Sequence, residues 1–281
     1  LGALAAIAAA VAAGGCRLAP SARVVEVTET IRVPVPPRTA SLKLWLPKLS
    51  AGPAQSAELL EVLSPVAHRL TKDPEFGNEL LFLEAKSPTG SSIDLTVRYR
   101  VTRDLQAAWG AAEAPGPTDL APRGLVVIDD EIRAVAAERT RGLNDPIARG
   151  RALYDYVFER MSYDKTGEGW GRGDSLYACR VGKGNCTDFH ALFMALALSS
   201  GLPARFRMGY SLPEARQGTV SGYHCWAEFY ASGTGCIPVD ISEARKNPKR
   251  RDYYFGRLDS SRILVSTGRE ITLSPGQSGK P

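Results

Sequence analysis

The sequence predicts an α+β protein in which an antiparallel β-sandwich-like domain precedes a domain built from helices and an antiparallel sheet. Three observations support this fold class. Short alternating segments, separated by proline and glycine, fill residues 20–103. Helical periodicity begins after residue 124, and aromatic, alternating segments follow it. The chain has 281 residues, 44% of them hydrophobic and 23% charged, which is enough apolar material for two domains with cores.

Residues 1–19 are similar to an export signal. Residues 1–15 are apolar and uncharged, too short to span a membrane, and match the hydrophobic region of a secretory signal peptide. Cys16 follows small residues, as in a bacterial lipoprotein processing site, although such sites usually have Leu where Ala13 stands. Lipidation of Cys16, which would attach the protein to a membrane, and plain cleavage both stay open. In either case we expect export to the periplasm or cell envelope.

The next segment, residues 20–103, is predicted to form the N-terminal β-domain. Residues 24–35 alternate β-branched and polar side chains before prolines break the pattern. Further strands are predicted over residues 41–46, 79–85 and 93–101. Short strands with such punctuation are typical of a β-sandwich. Nothing in this segment suggests chemistry, and the isolated His68 is expected to have a surface or packing role.

Residues 104–123 are predicted to be a linker, because the sequence AAEAPGPT is rich in alanine, proline and glycine. The second domain covers residues 124–281. Within it we predict helices over residues 129–140 and 145–161, a glycine-rich loop over 164–184, and late strands over 262–266 and 270–273. The apolar stripe of the second helix is expected to face the core.

A cysteine stands at the predicted start of an apolar helix. From residue 187 to residue 199 the apolar side chains recur at three and four residues, and a Gly-Leu-Pro sequence then ends the pattern. Cys186 therefore lies at a helix N-terminus, where unpaired N–H groups and the helix dipole favour a thiolate and could stabilise an oxyanion. A small buried core residue is the alternative for a lone cysteine. Helix-end stabilisation explains Asp188, and packing explains His190 better than a metal site does.

Two predicted strands downstream carry a histidine and an aspartate. The strands cover residues 223–230 and 237–241 and are joined by a hairpin turn at residues 231–235. If opposing residue numbers sum to about 464–466, His224 lies opposite position 240 or 242. His224 and Asp240 then share a face. The carboxylate can accept a hydrogen bond from one imidazole nitrogen and leave the other nitrogen for a thiol.

These motifs, in this order, resemble the core of the transglutaminase-like superfamily, and more closely that of bacterial transglutaminase-like proteins. The resemblance rests on GNCTDF at residues 184–189, GLPAR at 201–205, YHCWAE at 223–228 and PVD at 238–240. It implies a papain-like fold with Cys186 as nucleophile, His224 as base and Asp240 as the residue that orients the base. One departure is Cys236, which stands where members often have tryptophan before the aspartate strand.

Three further residues are candidates for substrate binding: Trp170, Tyr177 and Glu228. The first two lie in the glycine-rich loop, which we expect to cover the active site, and ordinary loop packing is the alternative for both. Glu228 shares the face of His224, with a solvated strand position as its alternative. Cys225 should face the opposite side and be structural.

No cofactor, metal or nucleic acid is predicted. The chain has no CxxC or HExxH pattern, and its glycine-rich segments follow no nucleotide-binding pattern. The net charge of +5 comes from scattered Lys and Arg, which indicates a solvated surface rather than a nucleic-acid site. With Cys16 and Cys186 set aside, Cys179, Cys225 and Cys236 allow at most one disulfide, and the sequence does not choose it.

The sequence thus predicts thiol-dependent acyl transfer or hydrolysis on peptide or protein amide bonds, through a thioester on Cys186. Whether water or an amine takes the acyl group is left open, because the catalytic residues are the same in both reactions. The alternative is a non-catalytic module that keeps the fold for binding or assembly in the bacterial cell envelope. A redox or metal protein that uses Cys179 and Cys186 is a third hypothesis.

Overall fold

A computed structural model describes residues 22–52, 54–107, 114–215, 217–220 and 222–277. The predicted export signal, with Cys16, lies outside the described residues, as does part of the predicted linker. Among the helices of the described residues, none combines the length and the apolar character that a membrane crossing requires.

Within the described part of the N-terminal domain there are six strands: β1 (Ala22–Pro34), β2 (Ser41–Pro47), β3 (Gln55–Leu63), β4 (His68–Lys72), β5 (Glu79–Lys86) and β6 (Ser92–Asp104). They make two antiparallel sheets, with strand orders β1-β6-β3 and β2-β5-β4. Along β6 the side chains alternate between the interior and the surface, as the period of a strand requires. The inward residues of both sheets form one apolar core, so the predicted β-sandwich is confirmed.

Two of these strands were not expected from the sequence. The segment of β3, QSAELLEVL, is rich in residues that favour helices, but pairing with β6 overrides that local preference. The segment of β4, HRLTK, is short, polar and largely exposed, because it forms an edge of its sheet. Neither strand carries the alternation that predicts β1 and β6 or the apolar run that predicts β5.

The second domain has five helices among the described residues: α1 (Asp130–Arg139), α2 (Pro146–Arg160), α3 (Ser175–Val181), α4 (Cys186–Ser199) and α5 (Ile241–Lys246). Nearly every side chain of α4 is buried, which is the pattern of a helix surrounded by protein. The other four helices and the sheet all pack against α4. The start of this helix, where Cys186 stands, is therefore fixed from several sides.

The sheet of this domain contains β10 (Ala204–Ser211), β11 (His224–Ala231), β12 (Gly235–Val239) and β14 (Arg262–Thr267), in the order β12-β11-β10-β14. Short strand pairs complete the domain: β7 (Gln106–Ala107) with β13 (Arg257–Leu258), and β8 (Ser162–Tyr163) with β9 (Lys183–Gly184). A helix that starts with cysteine thus packs on an antiparallel sheet whose second strand starts with histidine. This is the predicted fold class, with a papain-like core.

The hairpin of β11 and β12 has the predicted register. Ala227 pairs with Val239 and Ala231 pairs with Gly235, so opposing residue numbers sum to 466. The strand ends at Val239, two residues before the predicted end at residue 241. Asp240 is therefore not a strand residue but the N-cap of α5.

Two predictions for this domain were wrong. The segment 164–184 is not a loop throughout, because α3 lies within it. Its cap residue, Asp174, accepts hydrogen bonds from Leu176 N and Tyr177 N. A helix of seven residues is too short to show a clear period in the sequence. Residues 270–273 form no strand.

The two domains meet along β14. Gln55 of the N-terminal domain accepts a hydrogen bond from Leu264 N at 2.7 Å and donates one to Leu264 O at 2.8 Å. Ser50 donates to Val265 O at 2.7 Å. Asn78 accepts from the backbone N–H of residue 267 at 2.7 Å. Side chains of β14 also enter the core of the sandwich, so the N-terminal domain holds one edge of the second sheet.

The predicted linker is attached to the second domain where the structure describes it. Gln106–Ala107 pairs with Arg257–Leu258, and Asp119 forms an ion pair of 3.0 Å with Arg205. Both of these charged side chains are buried. The domain boundaries at residues 103 and 124 stay a prediction.

Candidate active site

Cys186 occupies the first position of α4, next to a well-formed helix cap. The side chain of Asn185 accepts a hydrogen bond from Thr187 N at 2.9 Å, and Asp188 accepts one from Asn185 N at 2.9 Å. Together they form a capping box, which satisfies N–H groups that the helix itself leaves unpaired. The cysteine is 3% exposed. The capping box thus fixes the backbone conformation at Cys186.

Asp188 also fixes the loop in front of the helix. Its carboxylate accepts hydrogen bonds from Gly171 N at 2.6 Å and Gly173 N at 3.0 Å. Burial raises the pKa of Asp188, while these N–H donors oppose that shift. A Cβ atom at Gly184 would lie 2.2 Å from the same carboxylate, so the chain needs glycine there. The helix-end role predicted for Asp188 holds, and the residue anchors the loop as well.

His224 lies between Asp240 and Cys186. Its Nε2 atom is 2.7 Å from Oδ2 of Asp240, and both side chains are buried. The other oxygen of Asp240 accepts from the Ser242 hydroxyl and from Glu243 N, each at 3.2 Å. The histidine also forms a hydrogen bond with Cys186. Because Nε2 is taken by the carboxylate, Nδ1 is the nitrogen left for the sulfur. The structure thus brings the three side chains together.

The charges of these groups support one another. Burial opposes protonation of His224, but the charge of Asp240 and its hydrogen bond raise the pKa of the imidazole to about 9. Hydrogen bonds from Cys225 and His224 hold the pKa of Cys186 below its usual value, against the effect of burial. Burial would raise the pKa of Asp240, but the charges of His224 and Arg262 hold it far below its usual value. A thiolate beside an imidazolium is the expected state at neutral pH.

Cys225 lies close to the site. It does point away from His224, as the alternation of β11 predicts, but it is not remote from the site. Its Sγ atom is 3.8 Å from the Thr187 hydroxyl and 3.8 Å from Nδ1 of His190, and its thiol forms a hydrogen bond with Cys186. The start of α4 lies on this side of the strand, so residues from both faces of β11 reach the sulfur of Cys186.

His190 has the packing role expected from the sequence. Its Nδ1 atom is 2.7 Å from Cys186 O, and its Nε2 atom accepts a hydrogen bond from Ile241 N at 3.1 Å. These contacts require a neutral ring with its proton on Nδ1. Burial, which lowers the pKa of His190, favours the same state. The ring therefore joins the first turn of α4 to the residue after Asp240.

Sequence reasoning missed Arg262. This residue is 2% exposed, and its Nε atom donates to Oδ2 of Asp240 at 3.1 Å. Its Nη1 atom donates to the hydroxyls of Ser211 at 2.9 Å and Ser261 at 2.8 Å. An arginine at the start of a late strand gives no signal of this role. Its distance from Asp240 along the chain hides the contact.

Tyr223 was also missed, although it precedes His224 directly. Its hydroxyl lies 3.0 Å from Asn185 Nδ2 and 3.0 Å from the Thr187 hydroxyl. The residue is 45% exposed, so these contacts lie near the surface. The start of β11 is thereby joined to the cap of α4 on the solvent side.

Glu228 does not occupy the substrate-binding position predicted for it. The residue is 2% exposed, and its carboxylate lies 2.8 Å from Nη2 of Arg207. Gln106 donates to the other oxygen at 2.9 Å. Both oxygens are therefore occupied by protein groups. The solvated strand position, which was its alternative, is wrong as well.

Trp170 and Tyr177 make contacts within their own segment. Lys165 Nζ lies 6.0 Å from the centre of the Trp170 ring. The ring of Tyr177, in α3, packs so closely on Gly169 that a Cβ atom there would lie 2.8 Å from it. These contacts agree with loop packing. A part in substrate binding stays a prediction for both residues.

Across the described residues, no three His, Cys, Asp or Glu side chains are grouped so that they could hold a metal ion. No disulfide joins the described cysteines. Cys179, Cys186 and Cys225 are buried thiols, and Cys236 is partly exposed.

Comparison with known proteins agrees with this architecture. Residues 133–241 match the model of the transglutaminase-like superfamily, a span that runs from α1 to the residue after Asp240. The chain is similar to an uncharacterized protein of Haemophilus influenzae, with 24% identity over 306 residues, 90% of this chain and 82% of that protein.

Among solved structures, a protein from Cytophaga hutchinsonii named as a candidate cysteine protease aligns with a TM-score of 0.61. The identity is 16%, and the alignment covers 89% of this chain and 83% of that one. The periplasmic domain of TgpA from Pseudomonas aeruginosa, bound to ethylmercury, aligns with a TM-score of 0.46 and 16% identity, over 81% and 80% of the two chains. At these identities the likeness concerns the fold.

The fold and the arrangement of cysteine, histidine and aspartate define a protein with a papain-like core. Residues 133–241, which include Cys186, His224 and Asp240, match the transglutaminase-like superfamily.

Proposed function

We propose that this protein is a cysteine enzyme that transfers or hydrolyses the acyl group of peptide or protein amide bonds. The observation that carries the proposal is the position of His224. Its ring is held by Asp240 at 2.7 Å on one nitrogen and meets the sulfur of Cys186 with the other. This order of nucleophile, base and orienting carboxylate is what nucleophilic catalysis by a thiol requires.

The first half of the reaction forms a thioester. The Cys186 thiolate attacks the carbonyl carbon of the amide, and the charge that develops on the oxygen faces the backbone N–H of Cys186 at the start of α4. The imidazolium of His224 then gives its Nδ1 proton to the amine as the carbon–nitrogen bond breaks. Asp240 keeps its charge throughout and holds the ring in the orientation that serves the sulfur.

The second half releases the acyl group. Neutral His224 takes a proton from water, which gives hydrolysis, or from an amine, which gives a new amide. The attacking oxygen or nitrogen binds the thioester carbon, and the sulfur leaves as a thiolate. The same three residues serve both outcomes, so the class of acceptor is set by how far the bound substrate excludes water.

We further propose that the protein acts on peptides or proteins outside the cytoplasm, in the periplasm or cell envelope. The support is the apolar segment at residues 1–15, which has the character of an export signal. Membrane attachment through a lipidated Cys16 is a finer version of this proposal. A mass measurement on protein isolated from the membrane fraction tests it.

The reactivity of Cys186 tests the catalytic proposal. We expect iodoacetamide to alkylate this residue at pH values well below 8.5, the pKa of an ordinary cysteine thiol, because the thiolate is stabilised in the folded protein. The variant His224→Ala should react more slowly at acidic pH, since the imidazolium that stabilises the thiolate is lost. Peptide mass spectrometry after a timed reaction gives the rate for each cysteine.

Cys236, which is partly exposed, provides an internal comparison in the same digest. Its rate should be the same in the wild type and in His224→Ala. Equal rates for Cys186 in the two proteins at every pH would contradict a cysteine–histidine pair and leave a fold used for binding alone.

A further inference from the structure

Arg262 is the buried cation next to the proposed catalytic residues. Three carboxylates surround it: Asp240 at 3.1 Å, Glu243 at 3.5 Å and Asp259 at 3.5 Å. Burial in protein is costly for a guanidinium unless such partners are present. The pKa of Arg262 stays above its usual value despite burial, because these carboxylates favour its charge. The residue is charged whenever the site operates.

The contact between Arg262 and Asp240 is made at a particular oxygen. Nε of Arg262 donates to Oδ2 of Asp240, and this same atom lies 2.7 Å from His224 Nε2. The other oxygen of Asp240 is engaged by the start of α5. The arginine and the imidazole therefore share one acceptor atom, so the position of Arg262 decides where that oxygen lies relative to the ring.

The arginine reaches this oxygen across the end of the sheet. It stands at the start of β14, one edge of the sheet, whereas Asp240 follows β12, the other edge. The hydroxyl of Ser211, at the end of β10, accepts a hydrogen bond from Nη1 of Arg262. The side chain thus joins the two edge strands at the end of the sheet where β11 begins with His224. A role confined to local packing would not need this reach.

We propose that Arg262 is a positioning residue for the reaction: it fixes the shared oxygen of Asp240 and divides the charge of that oxygen between itself and His224. This inference rests on the proposed function. The reaction requires His224 to hold a proton while the thiolate attacks and then to release it to the leaving amine. A carboxylate that served the imidazole alone would hold the proton more tightly than one shared with an arginine.

Several charged or titratable groups face this arrangement and set its pH dependence. Those around the His224 ring are Cys186, Asp240 and Arg262. Those that act on Asp240 are His224, His190 and Arg262. The charge of Arg262 lowers the pKa of His224, opposite to the effect of Asp240. Removal of that charge with Asp240 left in place should therefore raise the pKa of His224.

The experiment follows the imidazole directly. The chain has three histidines, so the protein labelled with ¹³C-histidine gives three ring signals, and the spectrum of His224→Gln assigns the relevant one. We expect the titration of His224 in Arg262→Gln to move upward by roughly one pH unit. In Arg262→Lys, which keeps the charge, it should stay close to the wild-type value.

An unchanged pKa of His224 in Arg262→Gln would overturn the proposal. A lowered pKa would overturn the division of charge, because it would mean that Arg262 only holds Asp240 in place. If Arg262→Gln does not fold, the variant Arg262→Gln with Asp259→Asn removes one buried charge of each sign. Asp259→Asn alone is its reference, and the upward shift is expected between these two proteins.

The wild-type protein separates this inference from the proposed function. If its His224 titrates at the ordinary value and its Cys186 reacts as an ordinary thiol, the proposed function fails before any arginine variant is made. If the wild type shows the pair but Arg262→Gln leaves His224 unmoved, the role of Arg262 alone is wrong.

Discussion

His224 and Glu228 lie on the same face of β11, and each is buried beside a partner of opposite charge. Glu228 has both of its oxygens occupied, by Arg207 at 2.8 Å and by Gln106 at 2.9 Å. Burial would raise its pKa, but the charge of Arg207 holds the pKa below the usual value. The carboxylate of Glu228 therefore stays ionised at neutral pH and does not take part in proton transfer.

The His224 end is arranged differently. One ring nitrogen is fixed by Asp240 and the other meets a thiol that is itself able to ionise. Because the linked side chains Asp240, His224 and Cys186 end at an ionisable sulfur, a proton can be transferred between His224 and that sulfur. The ion pair of Glu228 contains no such group and only stabilises the fold. Alternation along a strand places both residues on one face, but the partners from other strands decide which of them has chemistry to perform.

Asp240→Asn should have the largest effect, because it removes the charge that keeps His224 protonated. The asparagine can still cap α5, since its side-chain oxygen accepts hydrogen bonds. We expect the pKa of His224 to fall from about 9 towards its ordinary value. Acyl transfer should then slow by roughly 10²–10⁴-fold. NMR titration of the histidines and single-turnover acylation with a peptide ester measure the two effects.

The pH dependence of the wild type has a definite sign. The imidazolium is present below about pH 9 and is lost as the pH rises through that value. The thiolate is present above the lowered pKa of Cys186. Acylation should therefore be sustained across neutral pH and should decline above about pH 9. In Asp240→Asn that decline should begin at a lower pH, and a decline at the same pH in both proteins would contradict the assignment to His224.

Glu228→Gln is the matched change at the other end of the strand. It removes the negative charge that pairs with buried Arg207 at 2.8 Å, which should cost about 3–5 kcal/mol of unfolding free energy. In the wild type this contribution is present above the ordinary pKa of glutamate and is lost as the pH falls below it, because the folded-state pKa is lowered. Urea unfolding at pH 7 and at pH 4 measures both the loss and its pH dependence.

The titration of His224 in folded Glu228→Gln should be unchanged. This is the control for the comparison between the two ends of β11. A shift of His224 comparable to that in Asp240→Asn would show that the two ends are coupled, and the distinction drawn between them would be wrong.

Much of the site around His224 can be predicted from the sequence, because the segments that form it are close together along the chain. The apolar period after Cys186 predicts a helix that starts at the cysteine, and the register of one hairpin predicts that His224 and Asp240 come together. Both arguments need only segments that are neighbours in the chain. The alternating strands of the β-sandwich could be predicted for the same reason.

The remaining parts depend on contacts between distant segments. Arg262 reaches Asp240 across a sheet whose strand order the sequence does not reveal. Glu228 is buried because Gln106 and Arg207 cover it, and no pattern within β11 indicates this. The two strands β3 and β4 form because neighbouring strands pair with them, against weak or contrary local preferences.

Gln55→Ala tests how far the N-terminal domain supports the His224 end. The change leaves Leu264 N–H without its Gln55 acceptor, while Leu264 C=O loses one of two donors and keeps the hydrogen bond from Ser50 N. A loss of about 1–3 kcal/mol in unfolding free energy is expected. Amide hydrogen exchange should increase in β14, which carries Arg262, and stay unchanged in β12. Equal protection of β14 in the variant and the wild type would mean that the N-terminal domain does not hold this strand.

Cys225→Ala should have the smallest effect, and it decides how many groups act on the sulfur. The alanine removes a thiol that donates to Cys186, while His224 still stabilises the thiolate. The pKa of Cys186 should rise from about 4 but stay below that of an ordinary thiol. A rise of roughly one unit would slow alkylation at pH 5 about twofold and change it little at pH 6. Cys225→Ser, which keeps a donor, should retain most of the wild-type rate.

Cys179→Ala is the control for this change, because Cys179 is buried against Tyr156 rather than against Cys186. Its alkylation profile at Cys186 should match that of the wild type. If Cys225→Ala matches the wild type as well, Cys225 is a packing residue, as the alternation of β11 alone predicts, and the thiolate depends on His224 by itself. If the profile shifts, both faces of β11 contribute to the sulfur, since the strand begins where the helix that carries Cys186 also begins.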